Sequence, residues 1–446
     1  MSTAQRILVI GQTSVGRRVC GLLQDSGHTT VHLDEPSDGE LRAALTTDID
    51  GIAVLLHDDI KALRYSLAAH HIRPSAKLFV AMFDRTAREQ LRTHVPNSVV
   101  LSPAAISVPS LVAAAIDPRA AAIRRRDTQD AKDWVSIRVD ADDHVNVATF
   151  ATPEGLKRYG RLGRIAGQLR AYDAGTKVLL TGVFGLITVI VLDTIVGLQH
   201  ANFLRALYDA TRTTATISAP ALPDEPWVLI WATVAALAVL AFTAMFAAGV
   251  VNYLLSGRHV ALLGRRVAPR FGHVIVVGMG QVGLRLAEEL RALGVAVIGI
   301  EVNPQARSLQ LARSCGIPVI IGDAASRATL KAARIDQAEA IVAAGSAEWD
   351  NIAVAVSALA IAPETRRVIR AGTGDAMNET RSLFAIGAVV DVNGLTASFV
   401  TSAMTGDVPS TGPYAVIASE DHDLAIDTSG DVIDRMGAHS TRCECS

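Results

Sequence analysis

Two long apolar stretches in the middle of the chain constrain its fold more than any other feature. Residues 178–198 contain a single charged side chain, Asp193, and residues 227–257 contain none. A helix needs about 20 apolar residues to cross a bilayer, and both stretches reach that length. Two buried helices of a soluble domain are the alternative, but uncharged runs of this length are rare in soluble cores. We therefore expect two membrane-spanning helices.

The basic residues around these stretches predict their orientation. Lys and Arg are frequent on the two outer flanks, whereas only Arg205 and Arg212 are basic between the stretches. The flanking residues are Lys157, Arg158, Arg161, Arg164, Arg170, Lys177, Arg258, Arg265, Arg266 and Arg270. Cytoplasmic flanks carry the excess of positive charge, so we expect both termini in the cytoplasm and the spans in the lipid bilayer of the plasma membrane.

The overall composition agrees with a membrane protein. Of 446 residues, 50% are hydrophobic and 19% are charged, against roughly 25% charged residues in typical soluble domains. The mean hydropathy is +0.31. These values disfavour a disordered chain and, more weakly, a soluble enzyme. The net charge of −2 gives no general attraction to nucleic acid.

The chain contains two similar segments, one on either side of the apolar stretches. Residues 5–11 and 272–278 are apolar runs that end in glycine and lead into a glycine-containing turn. An acidic residue, Asp34 or Glu301, ends the next predicted strand, and the two acids are 267 positions apart, as are the two runs. This spacing indicates an internal duplication of an α/β, Rossmann-like domain, interrupted by a membrane hairpin.

We divide the sequence into five parts. They are a diverged Rossmann domain at 1–118, a connector at 119–176, a membrane domain at 177–257, a second Rossmann domain at 270–405 and a polar tail at 406–446. The second copy has a third strand at 318–321 that the first copy lacks. In the connector, residues 134–139 and 145–150 predict a β-hairpin. In the tail, residues 414–419 predict one strand.

The turn of the second copy has the glycine spacing of a dinucleotide-binding fingerprint. Gly278 permits a tight turn, Gly280 lets the backbone approach a pyrophosphate, and Gly283 lets the helix pack on the strand. Phosphates would face the helix N-terminus. Glu301 can accept both ribose hydroxyls and would repel a 2′-phosphate. This pattern favours NAD(H), ATP or ADP over NADP(H), with an empty Rossmann crevice as the alternative.

The first copy differs at one position of that fingerprint. Thr13 replaces the middle glycine, and its side chain would crowd a pyrophosphate. Asp34 is retained, but the missing third strand removes one wall of the crevice. We therefore favour a structural role for the first copy over ligand binding.

The second domain resembles the RCK (or KTN) domains that regulate potassium channels and Trk-type uptake systems. The resemblance rests on the turn at 278–283, the strand end at Glu301 and the Gly322-Asp323-Ala324 sequence. The first domain is similar to a diverged TrkA-N domain. The resemblance implies the following cofactor-binding residues: Gly278, Met279, Gly280, Gln281, Val282, Gly283, Glu301, Asp323 and Ala324.

The membrane hairpin resembles the two-helix pore of potassium channels, with residues 206–220 similar to a pore helix and filter. The family's filter reads TTVGYGD, whereas Thr216 and Ser218 stand here in place of its two glycines. The corresponding pore-lining residues are Thr213, Thr214, Ala215, Thr216, Ile217 and Ser218. Filters select ions with backbone carbonyls, and β-branched Thr resists the backbone angles that glycine allows. We therefore expect a poorly selective pore for monovalent cations, formed by a homo-oligomer, with a tetramer implied by the family.

Three functions remain open at this stage. The first is a nucleotide-regulated cation channel or transport subunit. The second is a membrane-tethered nucleotide or redox sensor that has lost its pore and regulates another transporter. The third, an oxidoreductase, has only the glycine fingerprint in its favour, because no paired acid and base lies near a plausible hydride site and the membrane hairpin would remain unexplained. We expect no enzyme activity, no catalytic residues and no metal site.

Overall fold

The computed structural model describes residues 4–125, 134–140, 144–152, 174–215, 225–255, 271–371, 386–406, 415–418, 423–426 and 432–436. The chain separates into two compact units. One comprises Met1–Tyr159 together with Ala268–Ser446, and the other comprises Gly160–Val267.

The first domain is a five-stranded parallel sheet with helices between its strands. Its strands are β1 (Arg6–Ile10), β2 (Thr29–Leu33), β3 (Gly51–Val54), β4 (Lys77–Ala81) and β5 (Ser98–Leu101), in the order β2-β1-β3-β4-β5. Its helices are α1 (Ser14–Asp25), α2 (Asp38–Thr46), α3 (Asp59–Ile72), α4 (Arg85–His94) and α5 (Pro103–Ile116). Each helix begins after a Ser, Thr or Asp whose side chain accepts a backbone hydrogen bond from the first turn. Apart from Arg6 and Lys77 at their first positions, the central strands β1, β3 and β4 are apolar and buried, because helices cover both faces of the sheet.

The connector forms an antiparallel sheet of three strands. They are β6 (Ala122–Arg125), β7 (Trp134–Val139) and β8 (Val145–Phe150). The predicted hairpin is confirmed with its bounds, since β7 and β8 coincide with residues 134–139 and 145–150. The sequence did not indicate β6.

The second unit contains two long apolar helices and a shorter one between them. They are α6 (Ala174–Gly197), α7 (Phe203–Thr214) and α8 (Pro226–Leu255). A Cβ on Gly249 would lie 2.6 Å from Leu179 Cα, and one on Gly182 would lie 2.6 Å from Phe246 N, so α6 and α8 run antiparallel in close contact. Among the described residues, Val178–Gly197 and Pro226–Val251 are long and apolar enough to cross a membrane. Only 22% and 17% of these stretches are buried, unlike the core helices of a soluble domain.

The second domain is a six-stranded parallel sheet. Its strands are β9 (His273–Val277), β10 (Ala296–Glu301), β11 (Val319–Ile321), β12 (Ala338–Ala343), β13 (Arg366–Ala371) and β14 (Ala388–Asp391), in the order β11-β10-β9-β12-β13-β14. Its helices are α9 (Gln281–Ala292), α10 (Ser308–Ser314), α11 (Arg327–Ala332), α12 (Glu348–Ile361) and α13 (Val392–Thr405). The strand β11 has no counterpart in the described residues of the first sheet, as predicted. Two Rossmann-like domains therefore flank two apolar helices in the chain.

Three short strands follow the second domain where the sequence predicted a polar tail with one strand. They are β15 (Ala415–Ala418), β16 (Asp423–Ile426) and β17 (Val432–Met436), in an antiparallel sheet. Ile417, Leu424 and Ile426 are fully buried and pack with Ala122 and Ile137 of the connector sheet. The description of the whole tail as polar is therefore wrong for these strands. Their apolar residues are too few to stand out in a polar sequence, and their burial depends on the connector.

The two Rossmann-like domains exchange their last helices. The helix α5 follows the last strand of the first sheet but packs against α9 and the second sheet. In return, α13 follows the last strand of the second sheet and packs against α1 of the first domain. Phe399 and Val400 thus share a core with Ile7, while Leu111 and Val112 share a core with Val274. Each domain completes its core with a helix that belongs in sequence to the other.

Candidate functional site

The glycine turn after β9 is built by close backbone contacts. Gly278 has a φ of +80°, and a Cβ there would lie 2.9 Å from Gly345 Cα. A Cβ on Gly283 would lie only 1.9 Å from the carbonyl oxygen of Gly278. Neither position has room for a side chain, so these two glycines are required by the turn and by the packing of α9 on β9.

The middle glycine of the turn, Gly280, faces open space. Gly280 has a φ of −68°, which any residue can adopt, and a Cβ there would have no atom within 4 Å. Gly280 is also the N-cap of α9, and no side chain among the described residues caps that helix. The first turn of α9 therefore presents its backbone N–H groups to an open crevice, an arrangement that suits a phosphate.

Glu301 links the turn to the neighbouring strand. It ends β10 and is 9% exposed. Its Oε2 accepts a hydrogen bond of 2.8 Å from the backbone N–H of Met279, and its Oε1 accepts one of 3.0 Å from that of Asn303. Each carboxylate oxygen can accept a second hydrogen bond, so the side chain retains acceptor capacity for a ligand.

A second acid lies on the next strand end. Asp323 follows β11 and is exposed, and its Oδ1 accepts a hydrogen bond of 2.8 Å from the N–H of Ala325. The N–H of Gly322 donates to the carbonyl oxygen of Glu301 at 2.9 Å. The structure therefore brings the predicted residues at 278–283, Glu301 and Asp323 to the carboxyl ends of three adjacent strands.

Three of the predicted cofactor-binding residues have buried apolar side chains. Met279 is fully buried, and a Cβ on Gly299 would lie 2.7 Å from its sulfur. Val282 and Ala324 are 2% and 5% exposed. These three residues can meet a ligand only through their backbone, whereas Gln281 is exposed at the start of α9.

Sequence reasoning missed a cation beside this crevice. Arg370 lies near the end of β13, and its Nη1 donates to the carbonyl oxygen of Ala344 at 3.3 Å. Burial lowers the pKa of the Arg370 guanidinium below its ordinary value, so a nearby anion would stabilise its charge. Asn351 holds the same loop, because its Oδ1 accepts from the N–H of Gly345 and its Nδ2 donates to the carbonyl oxygens of Gly345 and Arg370, each at 3.0 Å. The sequence gives one indication of this cluster. Arg370 is a basic residue near the end of a predicted strand, and that strand comes after the loop that contains Gly345.

The corresponding crevice of the first domain is closed by a side chain. The hydroxyl of Thr13, which is 8% exposed, accepts a hydrogen bond of 3.0 Å from the N–H of Gly16 and donates one of 2.8 Å to the carbonyl oxygen of Leu55. The Thr13 hydroxyl thus caps α1. At the equivalent position of the second domain stands Gly280, and α9 has no side-chain cap among the described residues. His32 Nε2 lies 3.0 Å from the carbonyl oxygen of Gly11, and Asp34 is exposed. The geometry supports the predicted structural role of this copy.

The predicted pore residues lie at the end of α7 and beyond it. Thr213 and Thr214 belong to the last turn, and their hydroxyls donate to the carbonyl oxygens of Asp209 and Ala210, both at 2.9 Å. Ala215 is the C-cap of the helix. The predictions for Thr216, Ile217 and Ser218 lie outside the described residues. Elsewhere in this unit, Trp231 Nε1 donates to Asp193 Oδ1 at 3.2 Å, so the one acid of the apolar stretch in α6 is hydrogen-bonded to α8.

Comparisons with known proteins identify part of the chain. Residues 274–390 match the family described as the TrkA-N domain. An uncharacterised protein of Methanothermus fervidus is 32% identical over 111 residues, which are 25% of this chain and 18% of that protein. Potassium channel protein 1 of Methanocaldococcus jannaschii is 26% identical over 106 residues, which are 24% of this chain and 32% of that protein. The match spans less than a third of either relative.

Solved structures show a similarity of fold over most of the chain. The crystal structure of the GsuK RCK domain is 14% identical, with a TM-score of 0.51, and the match covers 93% of this chain and 80% of that one. The GsuK channel is 16% identical, with a TM-score of 0.50, and the match covers 90% of this chain and 64% of that one. The second Rossmann-like domain of this chain, at residues 274–390, therefore belongs to the TrkA-N family, and the chain shares the fold of the GsuK RCK domain.

Proposed function

We propose that this chain is a subunit of a potassium-type cation channel or transporter that is regulated by an adenine nucleotide. The observation that carries the proposal is the uncapped first turn of α9 beside Glu301, in a TrkA-N domain whose chain also contains two membrane-length apolar helices. The proposed role is one of binding and regulation, and we assign no catalytic residue.

The proposed ligand is NAD(H), ATP or ADP. Its phosphates would lie over Gly280 and accept hydrogen bonds from the N–H groups at the start of α9. Its ribose hydroxyls would donate to Glu301, whose negative charge disfavours the 2′-phosphate of NADP(H). Arg370 would add a positive charge near the phosphates, and Asp323 supplies a further acceptor at the crevice edge.

The exchanged helices offer a route by which the nucleotide would affect the first domain. The helix α9 begins at the proposed phosphate site and packs along its length against α5. A nucleotide that binds one arrangement of these helices more tightly than another would shift the population toward it. Residues 256–270, which connect the second domain to α8 in sequence, lie outside the described residues.

The helical unit supports a membrane assembly of several chains. Two helices alone enclose no pore, and both apolar helices expose large side chains, among them Phe184 and Leu237. We propose that these surfaces meet lipid and the helices of neighbouring copies in a homo-oligomer, with a tetramer as the specific expectation. The name of the Methanocaldococcus relative supports a potassium-type cation as the transported ion.

We keep one alternative, a nucleotide sensor that no longer conducts ions. The observation in its favour is the presence of Thr216 and Ser218 where a potassium filter has glycines. The same TrkA-N domain would then regulate another transporter, and the membrane helices would serve as an anchor.

Flux measurements separate the two functions. Purified full-length protein in liposomes should carry potassium or sodium, and NADH, ADP or ATP should change the rate. The variant Gly280→Val should conduct without responding to nucleotide. Nucleotide binding without flux under any condition would contradict the channel and support the sensor. Flux that ignores all three nucleotides in the wild type would overturn the regulatory role.

The proposed orientation has its own test. We propose that residues 199–226 face the outside and that both Rossmann-like domains lie in the cytoplasm, because the basic residues are on the outer flanks of the spans. In a cysteine-free background, a cysteine at Asp224 should react with an impermeant thiol reagent added outside the cell. Reaction only from the cytoplasmic side would contradict the orientation.

A further inference from the structure

The exchanged helices form two junctions that are related by the internal duplication. One junction joins α1 to α13 and the other joins α9 to α5. The helices α1 and α9 have 12 residues each, and α13 and α5 have 14 each. Arg18 and Arg285 are each the fifth residue of their helix. Asp391 and Ser102 are each the N-cap of the helix that packs against it.

The first junction contains an ion pair. Arg18 donates to the Asp391 carboxylate, whose other oxygen accepts a hydrogen bond of 2.8 Å from Gly394 N and so caps α13. Asn393 Nδ2 donates to Ser14 Oγ at 2.6 Å beside this pair. The contacts join the first turn of α13 to α1 across the two domains.

The second junction keeps the arginine but not the carboxylate. Ser102 stands at the position of Asp391, and its hydroxyl caps α5 by accepting from Ala105 N at 3.4 Å. Within the described part of the chain, Arg285 makes no hydrogen bond or ion pair, although it is half-buried. The duplication has therefore left a cation at a helix junction without the acid that pairs with its counterpart.

A cavity of about 180 Å³ lies beside this arginine. Its apolar wall is formed by α5, including Val108 and Val112, and its other walls by β6, β7 and α9. The charged lining consists of Arg124, Arg125, Arg285 and Glu289, which are three cations and one anion. The Arg125 guanidinium lies 5.5 Å from the centre of the Trp134 ring, which also lines the cavity.

We propose that this cavity binds a small organic carboxylate with a flat apolar body. The carboxylate would pair with Arg285 as the Asp391 side chain pairs with Arg18 in the first junction. The apolar body would lie between Trp134 and the α5 wall, where a ring can stack on the indole. Because both exchanged domains line the cavity, the ligand would stabilise their junction. The proposal does not depend on nucleotide binding in the crevice at Gly280.

Binding is tested with benzoate, which has one ring and one carboxylate, and with benzamide, which has nearly the same shape and no charge. The full-length protein in detergent is titrated by calorimetry and by tryptophan fluorescence, with Trp134→Phe assigning the optical signal. Benzoate should bind in the millimolar range or more tightly, and benzamide should bind at least about tenfold more weakly. The absence of benzoate binding at millimolar concentrations overturns the proposal.

The variant Arg285→Gln distinguishes a free arginine from a paired one. It should weaken benzoate binding by about tenfold or more and leave the Tm of the ligand-free protein unchanged. The matched variant Arg18→Gln breaks the existing ion pair, so it should lower that Tm and spare benzoate binding. If Arg285→Gln also lowers the Tm of the ligand-free protein, the chain already supplies a partner and the proposal is wrong.

A third variant introduces the missing acid. Ser102→Asp should keep the cap of α5, because Asp caps helices as well as Ser does. It should also pair with Arg285, raise the Tm and abolish benzoate binding, whereas Ser102→Asn should keep the cap without these effects. Equal benzoate affinity in Ser102→Asp and Ser102→Asn would overturn the assigned position of the carboxylate.

Discussion

The carboxylate of Glu301 accepts a hydrogen bond of 2.8 Å from the backbone N–H of Met279, so the acid at the end of β10 holds the glycine turn after β9. The same side chain is the proposed acceptor for the ribose of a nucleotide. One residue therefore has a structural role in the turn and a proposed role in binding, and substitutions at this position affect both.

Replacement of Glu301 should weaken nucleotide binding. The variant Glu301→Ala removes the acceptor for the ribose hydroxyls and should cost about 1–3 kcal/mol of binding free energy for NADH, ADP or ATP, measured by calorimetry. It also leaves the N–H groups of Met279 and Asn303 without their acceptor, so the Tm should fall. Glu301→Gln retains one acceptor oxygen and should lose less stability. Asp34→Ala, in the first copy, is the control and should bind as the wild type does. Wild-type affinity in Glu301→Ala would refute the assignment of the crevice.

Two glycines of the turn should respond differently to substitution. A side chain at Gly280 meets no atom within 4 Å, so Gly280→Val should fold, with a Tm lowered only slightly by the less favourable N-cap, and lose nucleotide binding by steric exclusion. A Cβ at Gly283 would lie 1.9 Å from the carbonyl oxygen of Gly278, so Gly283→Ala should lower the Tm strongly. Thermal melting and calorimetry on the same samples give both quantities. A stable Gly280→Val variant that still binds nucleotide would show that the phosphates lie elsewhere.

The hydroxyl of Thr13 should contribute to stability and not to ligand binding. Thr13→Val preserves the shape of the side chain but removes the cap of α1, which should cost about 1 kcal/mol in the free energy of unfolding. Its affinity for nucleotide should equal that of the wild type, with one nucleotide bound per chain. Two bound nucleotides per wild-type chain, and one in the variant, would contradict the closed state of the first crevice.

His273 should make the protein less stable in acid. It is fully buried at the start of β9, its Nε2 lies 2.9 Å from the Ala333 carbonyl oxygen, and burial lowers its pKa from 6.5 to about 4. Between these two pH values the unfolded chain binds a proton that the native state does not. The contribution of neutral His273 to the free energy of unfolding is therefore fully present above pH 6.5. It is lost as the pH drops toward 4, by about 3 kcal/mol in total.

The contribution of His273 is measured by comparison with a residue that does not titrate. His273→Gln keeps an amide donor for the Ala333 carbonyl oxygen, so the difference in unfolding free energy between the two proteins isolates the histidine. That difference should change over the stated pH range and stay constant above it. Parallel pH profiles would show that the buried imidazole does not cause the acid sensitivity.

The proposed pore should discriminate poorly between potassium and sodium. Glycines allow the backbone of a filter to point successive carbonyls at the ion, and Thr216 and Ser218 resist those angles. Reversal potentials in a planar bilayer measure the permeability ratio. The paired change Thr216→Gly and Ser218→Gly should move selectivity toward potassium. Strong potassium selectivity in the wild type would contradict the argument from carbonyl geometry.

The sequence predicted the parts of the fold that depend on local patterns. The duplicated strands, the extra strand β11 and the connector hairpin follow from alternating or continuous apolar runs and from glycine spacing. The partner of a buried helix does not follow from such patterns. The helices α5 and α13 contain no charged residue, which predicts burial but not the domain that each contacts. Arg370 was missed for a related reason, because its place beside Gly345 depends on the order of strands in the sheet.

The exchange of α5 and α13 has a consequence for how the two copies can change over evolutionary time. In a homodimer, one gene encodes both domains of the pair, so a substitution that blocks the crevice of one domain blocks that of the other as well. In this chain the two domains are joined in one polypeptide, and each has its own coding sequence. Thr13 can therefore fill the crevice of the first domain while position 280 remains glycine in the second. Likewise, Asp391 can pair with Arg18 while Ser102 leaves Arg285 without an acid. Each domain needs a helix of the other to complete its core, so neither domain can be lost. Because the two domains are encoded separately, they can acquire different functions.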